Sequence, residues 1–516
     1  MVINTTLVTH NNMERYNQKS IGINGILRVF NLFVACLIAS RFFGEERIDH
    51  PYLDWLTLVL GLGLCLQTHI VLRLEQRNPD PFVLIMAYLL TFFYSLRIFT
   101  LSIYPVAGVF LKYDYGPSDS NHALLYILIA NTFMYAGFYR VKLKGAVEIN
   151  ATGYLPAIPR TVVVMLVLSI LFGLFVQQVI PESISSFINI IYNNFLSSDI
   201  ILLVLAAYVI VYRKNLPSIY LKIVLCFSVV LLVMQTLESS RSGLLAFANN
   251  LLILVLALLP TLRLLRKYVV VGFLLLPLLL ATSFTLYAIS TTSRLVKDDN
   301  VTSITEKMKL MQTSYEKLND DARVDYFIGE AFSRAGYFDF AAELIANRER
   351  YSGIFTLENY LKSIVDNVLT PGFDLFDMPK ISNSLKYAYG DFGTYSKKQE
   401  IVGSYHTDIF LIYGEMYNLF GYASLVILYL ASFFIKKAYR YNGKLSPHLI
   451  ALNRILWLTI FFRMMNSFGF DWILMDITIL LVSFYGLSKL FRQRLDNTRS
   501  LQTSRGSNRG HIGVMK

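Results

Sequence analysis

Apolar stretches of about 20 residues, the length that crosses a hydrocarbon core roughly 30 Å thick, recur along the whole chain. They fall at 24–43, 53–72, 82–104, 123–139, 161–180, 199–212, 219–237, 243–262, 268–290, 409–435, 449–467 and 471–488. Short polar turns separate most of them. The pattern predicts an all-α polytopic membrane protein of about 12 transmembrane helices (11–13), with 199–212 the weakest window. One interval breaks the rhythm: residues 291–408, between spans 9 and 10, form a large loop of nearly balanced charge. Within it, apolar residues from Val324 to Ile345 recur at helical spacing. A second helix is predicted after Thr356 as N-cap, with Glu358 in its first turn and Pro371-Gly372 as its stop. The amphipathic stretch 181–199, free of basic residues, predicts a helix lying in the membrane interface.

Composition agrees with the pattern. Hydrophobic residues make up 55% and charged residues 16% of 516, and a mean hydropathy of +0.49 excludes a soluble globule of this size. The net charge of +12 is distributed unevenly. If both termini are cytoplasmic, the cytoplasmic segments collect Arg15, Lys19, Arg73, Arg77, Arg140, Lys142, Lys144, Arg160, Arg213, Lys214, Lys222, Arg263, Arg266, Lys267, Lys436, Lys437, Arg440, Lys444 and the basic tail from Lys489 to Lys516. The short outer loops hold only Arg41, Arg47, Lys112, Arg241 and Arg463. Retained loops carry their lysines and arginines inside, so the charge needs no nucleic acid to explain it. The expected organisation is a cytoplasmic segment (1–23), a membrane domain of spans 1–9 (24–290), a large periplasmic loop (291–408), spans 10–12 (409–488) and a basic cytoplasmic tail (489–516). The polar N-terminus has no cleavable signal pattern, so the first span is expected to act as its own insertion signal. Cys36, Cys65 and Cys226 all fall within spans, which predicts no disulfide framework.

Chemistry enters where charge meets these spans. The stretch Thr236 to Leu244 reads TLESSRSGL and sets Glu238 and Arg241 in a tight turn at the outer end of span 7. Arg97 stands seven residues below the outer end of span 3, roughly 10 Å deep at 1.5 Å per residue. An arginine that deep must pair with something inside the bundle. Arg294 opens the long loop, Arg334 lies in its helix, and Arg41 and Arg463 sit at the same level. Guanidinium forks match phosphate oxygens bidentately, so this set suits an anion. At the far end of the loop, His406 and Asp408 precede span 10, with Glu415 farther in. Histidine has the unperturbed pKa of a base for a sugar hydroxyl. No phosphate loop, dinucleotide fingerprint or zinc motif occurs, and the seven histidines are scattered. The acidic turn Glu45 to Asp49 offers the one hint of a cation, set against its plainer reading as a solvated turn.

These residues resemble the bacterial oligosaccharide repeat unit polymerases and O-antigen polymerases, a group related to the O-antigen ligases and to GT-C-type glycosyltransferases. The resemblance rests on the many spans, the long late loop, Arg241-Ser242-Gly243 at the start of a span, and GEMYNLFGYASL from Gly414, which looks like a GE-x-Y-x-x-F-G signature. It covers about 60 residues, around 236–250, 330–372 and 403–425. It implies a metal-independent enzyme without a cofactor, in the bacterial inner membrane, acting on an undecaprenyl-diphosphate-linked oligosaccharide. It further implies a flippase and a chain-length regulator as partners, beside the lipid bilayer and with no nucleic acid. Carried onto this chain, Arg241 and Arg294, with Arg97 and Arg334, would hold the diphosphate, Glu238 would line the same substrate site beside Arg241, and His406 or Glu415, with Asp408 nearby, would position or deprotonate the acceptor. In ligases a glycine follows the histidine by about a dozen residues; here Gly414 comes sooner and Gly421 later, which favours a polymerase.

Two other classes fit the same outline. A lipid-linked oligosaccharide flippase would also be a basic protein of a dozen helices, but it should place charged or broken helices at the midplane. A metal-dependent GT-C enzyme using a lipid-phosphate sugar would use Glu45, Glu46 or Asp49 and would require a divalent ion.

Overall fold

A computed structural model describes residues 23–43, 51–75, 80–103, 115–141, 157–179, 198–212, 215–237, 250, 252–258, 309, 337–366, 375–376, 381, 412–441 and 447–466. Among these residues every regular element is helical and there is no strand. In chain order the helices are α1 (Ile23–Ser40), α2 (Trp55–Leu74), α3 (Pro81–Leu89), α4 (Leu96–Ile103), α5 (Pro117–Arg140), α6 (Ala157–Val179), α7 (Ser198–Val211), α8 (Ile219–Leu237), α9 (Tyr337–Ala346), α10 (Arg348–Tyr351), α11 (Leu357–Ile364), α12 (Ile412–Phe420), α13 (Ser424–Tyr439) and α14 (Pro447–Asn466). A π-helical segment, Leu90–Ser95, joins α3 to α4, and a 3-10 turn, Gly421–Ala423, joins α12 to α13.

Among the described residues five stretches are long and apolar enough to cross a membrane: Trp55–Leu74, Pro81–Ile103, Pro117–Arg140, Ile412–Tyr439 and Pro447–Met465. Shorter apolar helices cover Asn24–Ser40, Pro159–Leu171, Ile201–Val211 and Ile219–Leu231. The protein is thus a helical membrane protein, and these stretches fall on nine of the windows read from the sequence. Of the remainder, 243–262 is described only at 250 and 252–258, while 268–290 and 471–488 lie outside the described residues. So does the interfacial stretch 181–199, but for its last two residues.

The chain divides into two compact units. The first comprises Met1–Glu148, Leu232–Tyr441 and Trp457–Leu474, and it carries the site described below. The second comprises Ile149–Leu231, Asn442–Leu456 and Met475–Lys516; in it α6 packs on α7, and the Tyr212 hydroxyl lies 2.9 Å from Nδ1 of a buried His448.

In the first unit, α2 packs between α1 and α5, and α5 packs along α13. Short polar side chains lock the ends of these helices. At one end Asp54 caps α2, accepting from the Thr57 N–H at 2.8 Å, and the Asn121 amide of α5 donates to both Asp54 carboxylate oxygens. One carboxylate therefore closes a helix start and cross-links two helices. Burial alone would raise the Asp54 carboxyl, but the hydrogen bonds from Thr57, Asn121 and the Leu56 N–H hold it below its ordinary value.

At the other end Asp80 caps α3, with Pro81 in the first helical position, where the missing N–H costs nothing. Asp80 pairs with Lys436 of α13, whose ammonium also donates to the Phe138 carbonyl at 2.8 Å. Lys436, one of the cations that the sequence places on the cytoplasmic side, is buried, and the pair welds α3, α5 and α13 beside a layer of Phe82, Phe138, Phe461 and Tyr439 rings. Glu75 joins this end by accepting from the Asp80 N–H; burial, then the Asp80 charge, raises its carboxyl.

Candidate functional site

The helical ladder of Pro81–Ile103 widens at the π segment, where buried Thr91 donates to Asn31 of α1 at 3.1 Å and Asn31 donates to the Cys65 carbonyl of α2 at 2.8 Å. Such widenings arise from one inserted residue and gather at functional sites. Two residues beyond it stands Arg97, 1% exposed. Its Nε and NH2 donate to Oδ2 of Asp339 at 3.0 and 2.6 Å, and neither side chain is exposed to solvent. The sequence demanded a partner for this arginine, and the partner comes from the segment expected to be a loop. Burying an ion costs several kcal/mol, offset only by close pairing of this kind.

Asp339 belongs to α9, most of which is buried. Phe338, Ala341, Ala342, Leu344 and Ile345 are inside, and so are Asp339 and Glu343, one turn apart on the same face. The helix packs on α5, α12, α4 and the π segment. A helix apolar enough to be enclosed, yet carrying two carboxylates, needs a partner for each. Arg97 serves Asp339, and the Tyr351 hydroxyl donates to Glu343 at 2.7 Å. Burial raises the Asp339 carboxyl above the ordinary range, while the guanidinium and its hydrogen bonds pull it back. Tyr52, just before α2, is raised by burial and then by the Asp339 and Glu343 charges.

The Gly414 to Ser424 segment explains how α9–α11 are held. A Cβ on Gly414 would stand 2.8 Å from Leu344 Cδ1, so only glycine lets α12 approach α9 this closely. Glu415, 1% exposed, accepts from the Tyr360 hydroxyl of α11. The Asn418 amide donates to the Leu344 carbonyl at 2.5 Å, and the Asn418 carbonyl accepts from Arg348 Nε at 3.2 Å. Gly421 adopts φ +56°, a left-handed turn that favours glycine, and Ser424 both donates to its carbonyl and bonds the Tyr126 hydroxyl at 2.7 Å. Leu344, Tyr351, Ile354, Phe355, Tyr360 and Ile381 close a small core over these contacts. α11 forms as the sequence predicts, with Thr356 as its N-cap accepting from the Asn359 N–H; the proposed Pro371-Gly372 stop lies outside the described residues.

Of the residues singled out from the sequence, Arg97 and Glu415 are described, and both bind the same piece of chain, one through Asp339 and the other through Tyr360. Arg241, Arg294, Arg334, Glu238, His406 and Asp408 lie outside the described residues, as does the acidic turn Glu45 to Asp49. Arg41 donates to the Ser102 carbonyl near the end of α4, a position where a cation suits the helix dipole. The sequence reading missed Asp339 and Glu343. Their signal was present: two acids four residues apart inside YFDFAAELIA, too apolar on every other side for a solvated helix. Among the described residues no group of three or more His, Cys, Asp or Glu converges as metal ligands would.

Comparison with protein-family models, with curated proteins and with solved structures finds no match to this chain.

Proposed function

We propose that this protein is a polysaccharide polymerase of the bacterial inner membrane. It transfers a growing glycan from undecaprenyl diphosphate to the next lipid-linked repeat unit at the outer face. In this reading the chain spans the membrane twelve times, both termini are cytoplasmic, and 291–408 is periplasmic. The Asp54 end of the first unit then faces outward and the Asp80–Lys436 end faces the cytoplasm.

The observation that carries the proposal is the seating of α9–α11 in the bundle by Arg97–Asp339 and Tyr360–Glu415. A polar segment held among apolar helices suits a reaction between two substrates that are both anchored in lipid. In that reaction the acceptor hydroxyl oxygen attacks the anomeric carbon and the carbon–oxygen bond to the diphosphate breaks. The electron pair leaves with the diphosphate, and the hydroxyl proton passes to His406 or Glu415. Arg241, Arg294 and Arg334 neutralise the leaving group, where the largest charge develops. Arg97, committed to Asp339, acts as a positioning residue that fixes α9. A flippase supplying the repeat unit and a chain-length regulator complete the pathway at the level of partners.

The test is polymer length on a gel, from a deletion strain complemented with wild type or Arg241→Ala, with membrane levels of the protein matched. Loss of the ladder to single repeat units in the variant supports the reading. A full ladder from Arg241→Ala removes the diphosphate role from that residue. Unprocessed units accumulating on the cytoplasmic face of the Arg241→Ala strain would favour a flippase. Loss of transfer on chelation of divalent ions would favour a metal-dependent glycosyltransferase.

A further inference from the structure

At the Asp54 end, one charged side chain is fixed in place without being used up. Arg348, at the start of the short α10, is exposed. Its Nε is tied to the Asn418 carbonyl at 3.2 Å, and its guanidinium carbon lies 5.7 Å from the centre of the Tyr417 ring. A Cβ on Gly421 would stand 3.3 Å from its NH1, so the glycine turn closes a third side. The guanidinium is thus held by its Nε and its face, with NH1 and NH2 beside the Gly421 turn and without a hydrogen-bond partner among the described residues. An arginine held this way has already given up the rotamer freedom that a flexible one loses on binding.

Beside it is an aromatic wall. Tyr422, 54% exposed, lies edge-on to Tyr417 at 5.6 Å between centroids, and Tyr126 backs both rings. His122 Nε2 is 2.9 Å from the Tyr422 hydroxyl and 3.4 Å from the Tyr417 hydroxyl. Tyrosines gather at membrane interfaces in any case, and that habit accounts for an exposed Tyr422. It does not account for an anchored guanidinium with an open edge, nor for an imidazole bonded to two phenols in the same cluster. A sugar ring needs all three kinds of group. The flat ring covers its apolar face, the imidazole exchanges hydrogen bonds with its hydroxyls, and the guanidinium fork takes an attached oxyanion.

We propose that Arg348, Tyr422, Tyr417 and His122 form a binding site for an anionic saccharide, a sugar ring carrying a carboxylate or a phosphate. The inference rests on the reading of the protein as a glycan polymerase, in which the site would orient one of the two lipid-linked chains. Arg348 is the specificity-determining group, and Tyr422 supplies the platform.

The test uses the full chain in nanodiscs and saturation-transfer NMR with three probes: glucuronic acid, N-acetylglucosamine 1-phosphate and neutral N-acetylglucosamine. The expected result is transfer to an acidic probe, with apparent affinity reduced at least about tenfold in Arg348→Ala and in Tyr422→Ala and retained in Tyr422→Phe. Which acidic probe binds distinguishes a uronic acid from the phosphate of the lipid linkage. Binding by neither acidic probe, or binding unchanged in both alanine variants, overturns the proposal. So does binding of the neutral sugar as tightly as the acidic ones. Tyr422 is half exposed, so its alanine variant should keep the wild-type melting temperature and separate lost binding from lost fold. In the complemented deletion strain, a full wild-type ladder left unaltered by Arg348→Ala would sink this site alone. Repeat units stranded on the cytoplasmic face in the uncomplemented deletion strain would sink the polymerase reading.

Discussion

Gly414 and Leu344 touch so closely that the α-carbon of one leaves no room for a methyl group beside the other: a Cβ at 414 would lie 2.8 Å from Leu344 Cδ1 and 2.9 Å from Leu344 Cβ. The contact closes α12 on α9, and it sits one residue before Glu415, so whatever disturbs it also moves that carboxylate.

Gly414→Ala should therefore destabilise the protein by about 1–3 kcal/mol, the usual cost of overpacking. Trimming Leu344 past its Cβ removes the clash from the other side: the Gly414→Ala, Leu344→Gly double variant is expected to lose less stability than the two single losses added together. Thermal unfolding in nanodiscs measures this, and strict additivity would rule out the contact as the cause.

Arg97→Ala or Asp339→Ala leaves a buried charge without its partner and should cost about 3–5 kcal/mol. The paired replacement Arg97→Met with Asp339→Leu should recover most of that loss, since both sites are apolar. If the double variant is as stable as wild type and still makes polymer, the pair serves the fold alone. If it is stable and inactive, the position of α9 matters to transfer.

Tyr360→Phe removes the hydroxyl that Glu415 accepts, deep in the same seat. A loss of about 1–3 kcal/mol is expected, the penalty for a buried polar group deprived of a partner. Protease protection of 337–366 in membranes should fall with it, while protection elsewhere stays.

Asp54 gives a pH dependence with a definite sign. Its folded carboxyl lies below the ordinary 3.8, so its contribution to stability is fully present above that value and lost as pH falls through the folded value. Asp54→Asn should flatten the acid limb of a melting-temperature profile and change little at neutral pH beyond a constant offset. An unchanged acid limb would show that other carboxylates set it.

Local chemistry made much of this readable from the sequence. Spans follow from apolar length, α11 from Thr356 and Glu358, and the need for a partner at Arg97 from its depth. What the sequence could not supply was the partner's identity. Asp339 is 242 positions away, and no spacing rule links an arginine in one helix to an acid in a helix that arrives so much later. The placement of α9 was hidden for a related reason. A ten-residue helix is too short to register as a span, so its enclosure depends on neighbours that only the tertiary fold provides. The GEMYNLFG stretch stood out as a pattern, yet the work of its residues emerged only once α9, α10 and α11 were seen against it.

The widened turn at Leu90–Ser95 has a consequence for how this helix tolerates change. A π segment absorbs one extra residue in a wider turn, so the residues beyond it keep about the facing of a regular helix one residue shorter. Inserting a further apolar residue between 90 and 95 would leave an unbroken hydrophobic span, so by length and composition the segment would look unchanged. It would also rotate Arg97 by about 100° away from Asp339. A lengthening that looks harmless in the sequence would thus undo the connection between the third span and α9 without touching Arg97 or Asp339 themselves.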